Sequence, residues 1–86
     1  MQEDAKLFYK AVAAIVSRHR KKSGIKYTDF CYGNDIPMST YDTIVSARKQ
    51  SSCYNVAKVA KALDLSFEEF GKLLDQELPP DFMSKD

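Results

Sequence analysis

The chain has 86 residues, of which 44% are hydrophobic and 29% are charged, and its formal net charge is +1. This length provides one small domain with a modest core and leaves no room for a second. The longest apolar run, residues 11–16, is too short to span a bilayer, and the acidic N-terminus lacks the apolar segment of a signal peptide. We therefore predict a cytoplasmic protein with no membrane role.

The first predicted helix covers about residues 3–22. Apolar residues recur there at steps of three and four, and Gly24 follows as a stop signal. The predicted inward stripe consists of Leu7, Phe8, Ala11, Val12, Ile15, Val16 and His19. We interpret His19 as a packing residue, because no nucleophile is near it in sequence.

Residues 27–47 have the pattern of two short helices joined by a tight polar turn. The second helix is predicted over residues 27–33 and the turn over residues 33–37, where Asn and Asp tolerate a left-handed backbone. The start of the third helix is open. Either Ser39 and Asp42 form a capping pair, or Pro37 occupies the first helical position. This is the pattern of a helix-turn-helix unit.

The remaining helices are predicted over about residues 53–63 and from Ser66 to the Pro79-Pro80 pair. Ser66 with Glu69 forms an S-x-x-E capping box. The inward residues are expected to be Val56, Val59, Ala60 and Leu63 in the fourth helix, and Phe67, Phe70, Leu73, Leu74 and Leu78 in the fifth. We assign residues 3–78 to the domain and residues 79–86 to a C-terminal tail. We expect the tail to be mobile; the alternative is that its Phe82 and Met83 pack on the core or on a partner.

The charges are distributed unevenly along the chain. Residues 18–61 hold nine Lys or Arg and three Asp, which gives +6, whereas the remainder holds four Lys or Arg and nine Asp or Glu, which gives −5. A charge run is often only a solvated face. The concentration of positive charge around residues 27–47 nevertheless favours a side that faces phosphates.

The sequence offers no catalytic or metal-binding pattern. A zinc site needs about four ligands, and two distant cysteines, Cys31 and Cys53, with a single histidine do not supply them. We expect both cysteines to be at least partly buried. No nucleophile triad or phosphate loop is present. We predict that the protein is not an enzyme and carries no cofactor.

Residues 24–70 resemble the Cro-like and lambda-repressor-like helix-turn-helix family of phage and bacterial regulators. The most specific part is VAKVAKALDLSFEEF (56–70), which resembles the family's fourth helix and the start of its fifth. Gly24-Ile25, Phe30-Cys31 and Ile36 also match without a gap. The resemblance implies an all-α fold: a compact five-helix lambda-repressor-like domain with the helix-turn-helix at helices two and three.

Four positions depart from the family pattern. Asp35 and Ala47 stand where the family usually has Gly, and Pro37 replaces a capping Ser or Thr. Val45 replaces a Glu that in many members pairs with the helix-one Arg. We therefore expect Arg20 to lack its partner and to face solvent or phosphate.

The resemblance implies a sequence-specific DNA-binding transcriptional regulator of repressor type, with the third helix in the major groove of double-stranded DNA. The base contacts would be Met38, Ser39, Thr40 and Thr43, and the phosphate contacts Lys26, Tyr27, Thr28, Arg48 and Lys49. Ser and Thr hydroxyls and a Met methyl form a weak code, because no Arg, Gln or Asn is offered for bidentate readout. Asp42 either accepts from cytosine or caps the helix, and we favour the cap.

A homodimer is expected, since one domain with about four phosphate contacts binds DNA weakly. The fifth helix with Phe82 and Met83 is the candidate dimer surface. The alternative is a protein-interaction module on the same fold, such as an antirepressor or an inhibitor of a host protein. Tyr27, Tyr32 and Tyr41 would then be exposed interface anchors.

Overall fold

The computed structural model describes residues 2–83, which fold into five α-helices and contain no β-strand. The helices are α1 (Glu3–Ser23), α2 (Tyr27–Gly33), α3 (Met38–Ser46), α4 (Cys53–Ala62) and α5 (Phe67–Glu77). The predicted all-α class is confirmed for this part of the chain. Residues 84–86 of the predicted tail lie outside it. None of the helices in residues 2–83 is long and apolar enough to cross a membrane.

The core is built around α1, which packs against α3, α4 and α5. Val12, Ile15 and Val16 of α1 are at most 1% exposed. The other helices and the turns supply the rest of the buried cluster: Phe30, Cys31, Ile36, Tyr41, Ile44, Val59, Ala60, Leu65 and Phe70. The radius of gyration is 12.9 Å, as expected for a single globule of this size.

Local signals set the end of α1 and the start of α5 as predicted. Gly24 ends α1 in the left-handed region, at φ +78°. The capping box of α5 is present, since Ser66 Oγ accepts from the Glu69 N–H at 3.1 Å and Glu69 Oε1 accepts from the Ser66 N–H at 3.0 Å. After α4, Asp64 adopts φ +62° and its N–H donates to the Lys61 carbonyl. These contacts satisfy polar groups that a helix end leaves unpaired.

Three residues expected to be buried are exposed. Leu7 is 41% exposed, Phe67 is 63% exposed, and Cys53 is on the surface. Cys53 and Phe67 are the first residues of α4 and α5, and Leu7 lies one turn before the buried segment of α1. The predictions were wrong because periodicity identifies a helix face but not how far along the helix the core extends. The Phe67 ring instead receives the Lys61 ammonium, 4.8 Å from its centroid.

Candidate nucleic-acid interface

Four residues, 34–37, connect α2 to α3. Asn34 donates from its side-chain amide to the Phe30 carbonyl at 2.8 Å. Asp35 has φ +55°, the left-handed backbone predicted for this turn. Ile36 is only 4% exposed, and its N–H donates to the Cys31 carbonyl at 2.9 Å. The buried Ile36 side chain therefore fixes the turn, and with it the start of α3, to the core.

The structure corrects both predicted starts of α3. Pro37 is the N-cap, with φ −58° and ψ 136°, and Met38 is the first helical residue. The Pro37 carbonyl accepts from the N–H groups of Thr40 and Tyr41 at 3.0 and 3.1 Å. No side chain caps this helix, so the Ser39–Asp42 capping pair is absent. Ser39 is already the second residue of the helix and is too late in the chain to cap it.

The inner side of α3 is held by Tyr41, which is 3% exposed. Its phenolic oxygen accepts a 2.8 Å hydrogen bond from Arg20 Nε, while Arg20 Nη1 donates to the Ile25 carbonyl at 2.7 Å. The expectation that Arg20 faces solvent or phosphate was therefore wrong. In the absence of a carboxylate partner at Val45, the guanidinium uses a phenol and a carbonyl instead. These bonds tie α1 to α3 and to the segment before α2.

The alternative interpretation, a protein-interaction module, expected Tyr41 to be an exposed interface anchor. That expectation was wrong, because Tyr41 is buried. Burial raises the pKa of Tyr41, and the hydrogen bond from Arg20 partly opposes this shift. The ring of Tyr27 stacks on that of Tyr41, with centroids 6.1 Å apart and planes 14° apart. Tyr27 remains 41% exposed, so the stack positions one predicted phosphate contact at the surface.

The four predicted base contacts lie on the outer side of α3. Met38 is 44% exposed, Ser39 is exposed, and Thr40 and Thr43 are half-buried. Thr43 Oγ1 donates to the Ser39 carbonyl at 2.9 Å, so its hydroxyl hydrogen is already used. What Thr43 can offer a ligand is an acceptor oxygen and a methyl group. A ligand at this face would therefore meet an acceptor and a methyl group at Thr43, whereas the hydroxyls of Ser39 and Thr40 can both donate and accept.

Sequence reasoning missed two amide side chains beside this face. A cleft of about 170 Å³ is lined by Ser39, Thr40, Thr43, Gln50, Ser51, Ser52 and Asn55. Gln50 is exposed and Asn55 is half-buried. Both side chains carry an amide, the group suited to bidentate contact with adenine. None of the four predicted base contacts carries one. Gln50 lies in the loop after α3 and Asn55 lies on α4, and whether they return to α3 depends on tertiary packing.

Five cations around α2 and α3 are free within residues 2–83. Ion pairs there join only Lys6 to Glu3, Arg18 to Glu77, and Lys72 to Glu68. Lys58 donates to the carbonyl of Asp35, at 2.9 Å. Near α2 and α3 in the sequence, the exposed cations without such partners are Lys21, Lys22, Lys26, Arg48 and Lys49. Three of them were predicted phosphate contacts, and Thr28, another predicted contact, is also exposed.

Arg48 and Lys49 line a second cleft, of about 440 Å³, together with Asp42, Thr43, Val45 and Ser46. Ala47 brings the chain around from α3 by adopting φ +55°. Predicted phosphate contacts and part of the predicted base-reading face thus share one concave surface. A duplex backbone running along it would meet cations where the helix face ends.

Residues 2–83 contain no cluster of three or more His, Cys, Asp or Glu side chains that could hold a metal ion. Burial raises the pKa of the Cys31 thiol. His19 donates from Nδ1 to the Ile15 carbonyl at 3.0 Å within its own helix and is half-buried.

Comparisons with protein-family models, curated proteins and solved structures found no match to this chain.

Proposed function

We propose that the protein is a sequence-specific DNA-binding regulator with a lambda-repressor-like fold, in which α2, the turn and α3 form a helix-turn-helix. In this proposal α3 enters the major groove, Met38, Ser39, Thr40 and Thr43 contact base edges, and the contacts to phosphates come from Lys26, Tyr27, Thr28, Arg48 and Lys49. The observation that carries it is the arrangement of α3. Its inner side is anchored by buried Tyr41 and Ile44, while its outer side is polar and adjoins unpaired cations.

The distribution of charge supports this orientation. Arg48 and Lys49 follow α3, and Lys21, Lys22 and Lys26 precede α2. Positive charge therefore lies in the chain on both sides of the helix pair. The acidic residues of α5 and of the α1 N-terminus belong to other parts of the molecule. Such a division orients an approaching polyanion towards one side of the protein.

The active form in this proposal is a homodimer that binds two half-sites about 34 Å apart. Phe67 and Met83 are 63% and 67% exposed, which leaves apolar area available on α5 and after it. Phe82 is half-buried beside Phe8 and Tyr9 of α1, in a cleft of about 370 Å³. Of the tail residues Phe82 and Met83, Met83 is therefore the one whose side chain is available to contact a second copy of the chain.

Selection from a random duplex pool at two salt concentrations tests the proposal. We expect enrichment of a short palindromic sequence whose half-sites are about 10 base pairs apart, and weaker binding at the higher salt concentration. Analytical ultracentrifugation of the complex reports whether two chains bind each duplex. A pool that stays random at low salt would contradict specific DNA binding.

One observation favours a second candidate, a protein-interaction module on this fold. Tyr32 and Tyr54 are 94% and 72% exposed, and tyrosine is a common interface anchor. Replacement of both by Ser distinguishes the two functions, because neither residue is among the proposed DNA contacts. The DNA-binding proposal predicts unchanged duplex affinity for that variant.

A further inference from the structure

Asp42 is the acidic residue on the outer side of α3. It lies one helical turn after Met38 and one turn before Ser46, and all three residues are exposed. Residues four apart share a helix face, so Asp42 faces the same way as the proposed base contact Met38. It also lines the cleft of about 440 Å³ with Thr43, Arg48 and Lys49.

The Asp42 carboxylate has no structural task within residues 2–83. It does not cap α3, because Pro37 is the N-cap and no side chain serves that helix end. None of the three ion pairs in this part of the chain includes it, although Arg48 and Lys49 line the same cleft. A carboxylate on the surface of a DNA-binding helix repels phosphates, so it weakens non-specific binding unless a donor meets it.

The major groove offers few donors to a carboxylate. Guanine presents two acceptors, N7 and O6, and repels it; thymine presents the O4 acceptor. Adenine has an N6 amino donor, but the neighbouring N7 is an acceptor. Cytosine presents its N4 amino donor with no acceptor of its own beside it in the groove. A carboxylate is therefore matched best to cytosine and most poorly to guanine.

We infer that Asp42 is a specificity-determining residue that accepts a hydrogen bond from the N4 amino group of a cytosine in each half-site. This inference rests on the proposed function and deepens it. Met38, Ser39, Thr40 and Thr43 discriminate weakly, whereas Asp42 both attracts one base and repels another. It sets a preference of about fivefold to tenfold for cytosine at one position of the half-site.

The test is selection from a random duplex pool with the wild type, D42A, D42N and a control, D64N. Asp64 is exposed in the turn between α4 and α5, and Asn tolerates its φ of +62°, so D64N makes the same change of charge outside α3. Circular dichroism and thermal unfolding verify that each variant folds. Affinities for the selected duplex and its single-base variants are then measured by fluorescence anisotropy.

The wild type and D64N are expected to select cytosine at one position of each half-site. D42A loses that preference, and D42N moves it to adenine, because an amide pairs with N6 and N7 of adenine. The inference is overturned if the wild type selects duplexes without such a cytosine, or if the Asp42 variants keep it. It is also overturned if D42A only tightens binding to all duplexes by one factor. A wild type that selects no duplex at all overturns the proposed function together with this inference.

Discussion

Arg20 Nε on α1 donates a 2.8 Å hydrogen bond to the phenolic oxygen of Tyr41 on α3. Tyr41 is almost fully buried, and its ring also contacts those of Tyr27 and Phe30, with centroids 6.1 and 5.8 Å away. The bond therefore joins the longest helix to the centre of the candidate interface. It determines how α3 is held and does so through residues that touch no ligand.

Substitution of Tyr41 by Phe removes the acceptor and leaves the ring in place. We expect Y41F to lower the free energy of unfolding by about 1–2 kcal/mol, because a half-buried guanidinium loses a hydrogen-bond partner. Urea unfolding followed by circular dichroism measures the change. The control is Y32F, at a tyrosine that is 94% exposed, and it should match the wild type. Equal stability of Y41F and the wild type would contradict a stabilising role for the bond.

Ala47 ends α3 with φ +55°, a conformation that an L side chain disfavours. Replacement by Gly relieves that cost, so A47G should raise the free energy of unfolding by about 0.5–1 kcal/mol. Thermal unfolding shows this as a higher midpoint. The mirror control is G24A, where φ is +78° and no atom beyond the neighbouring residues lies within 4 Å of the position that the alanine Cβ would take. G24A should therefore destabilise for conformational reasons alone, and identical signs for the two variants would refute the explanation.

Glu69 gives the stability of α5 a dependence on pH. Hydrogen bonds from the Ser66 N–H and hydroxyl group lower the pKa of Glu69 below its usual value of 4.5. A lowered pKa in the folded state means that the stabilisation is present above pH 4.5 and is lost as the pH falls through the folded-state value. On acidification, the midpoint temperature of thermal unfolding should therefore fall less for E69Q than for the wild type. E68Q, which leaves the capping box intact, should keep the wild-type response.

Charge reversal tests the proposed phosphate contacts of Arg48 and Lys49. We expect R48E/K49E to weaken duplex binding by at least about 100-fold at low salt and to make the salt dependence shallower. Each lost contact removes about 0.9 from the slope of log K against log salt, so a dimer loses about 3–4. K6E/K10E makes an equal change of net charge at two exposed positions on α1, and it should bind within a few-fold of the wild type. Similar losses in both variants would show that only total charge matters.

Local patterns made the helices predictable. The bounds of α2 matched the prediction, and Gly24, Asp35 and the Ser66–Glu69 box act as their residue types indicated. These features depend on neighbours within about four residues, which the sequence displays directly. The start of α3 was mispredicted for the same reason: Pro37 and Ser39 were both plausible local signals. Buried Ile36 anchors the turn, and α3 begins at Met38 with Pro37 as its N-cap, which matches neither prediction.

The sequence by itself determined five helices, their polar and apolar sides, and the concentration of positive charge around α2 and α3. Only the tertiary structure decided which of those side chains meet. It turned Arg20 inward to Tyr41, exposed Phe67 and Cys53, and brought Gln50 and Asn55 beside the outer side of α3. The physical reason is the sequence separation over which each interaction acts. Helix periodicity and capping act within a few residues, whereas a side chain's partner and burial depend on helices that are far apart in the chain.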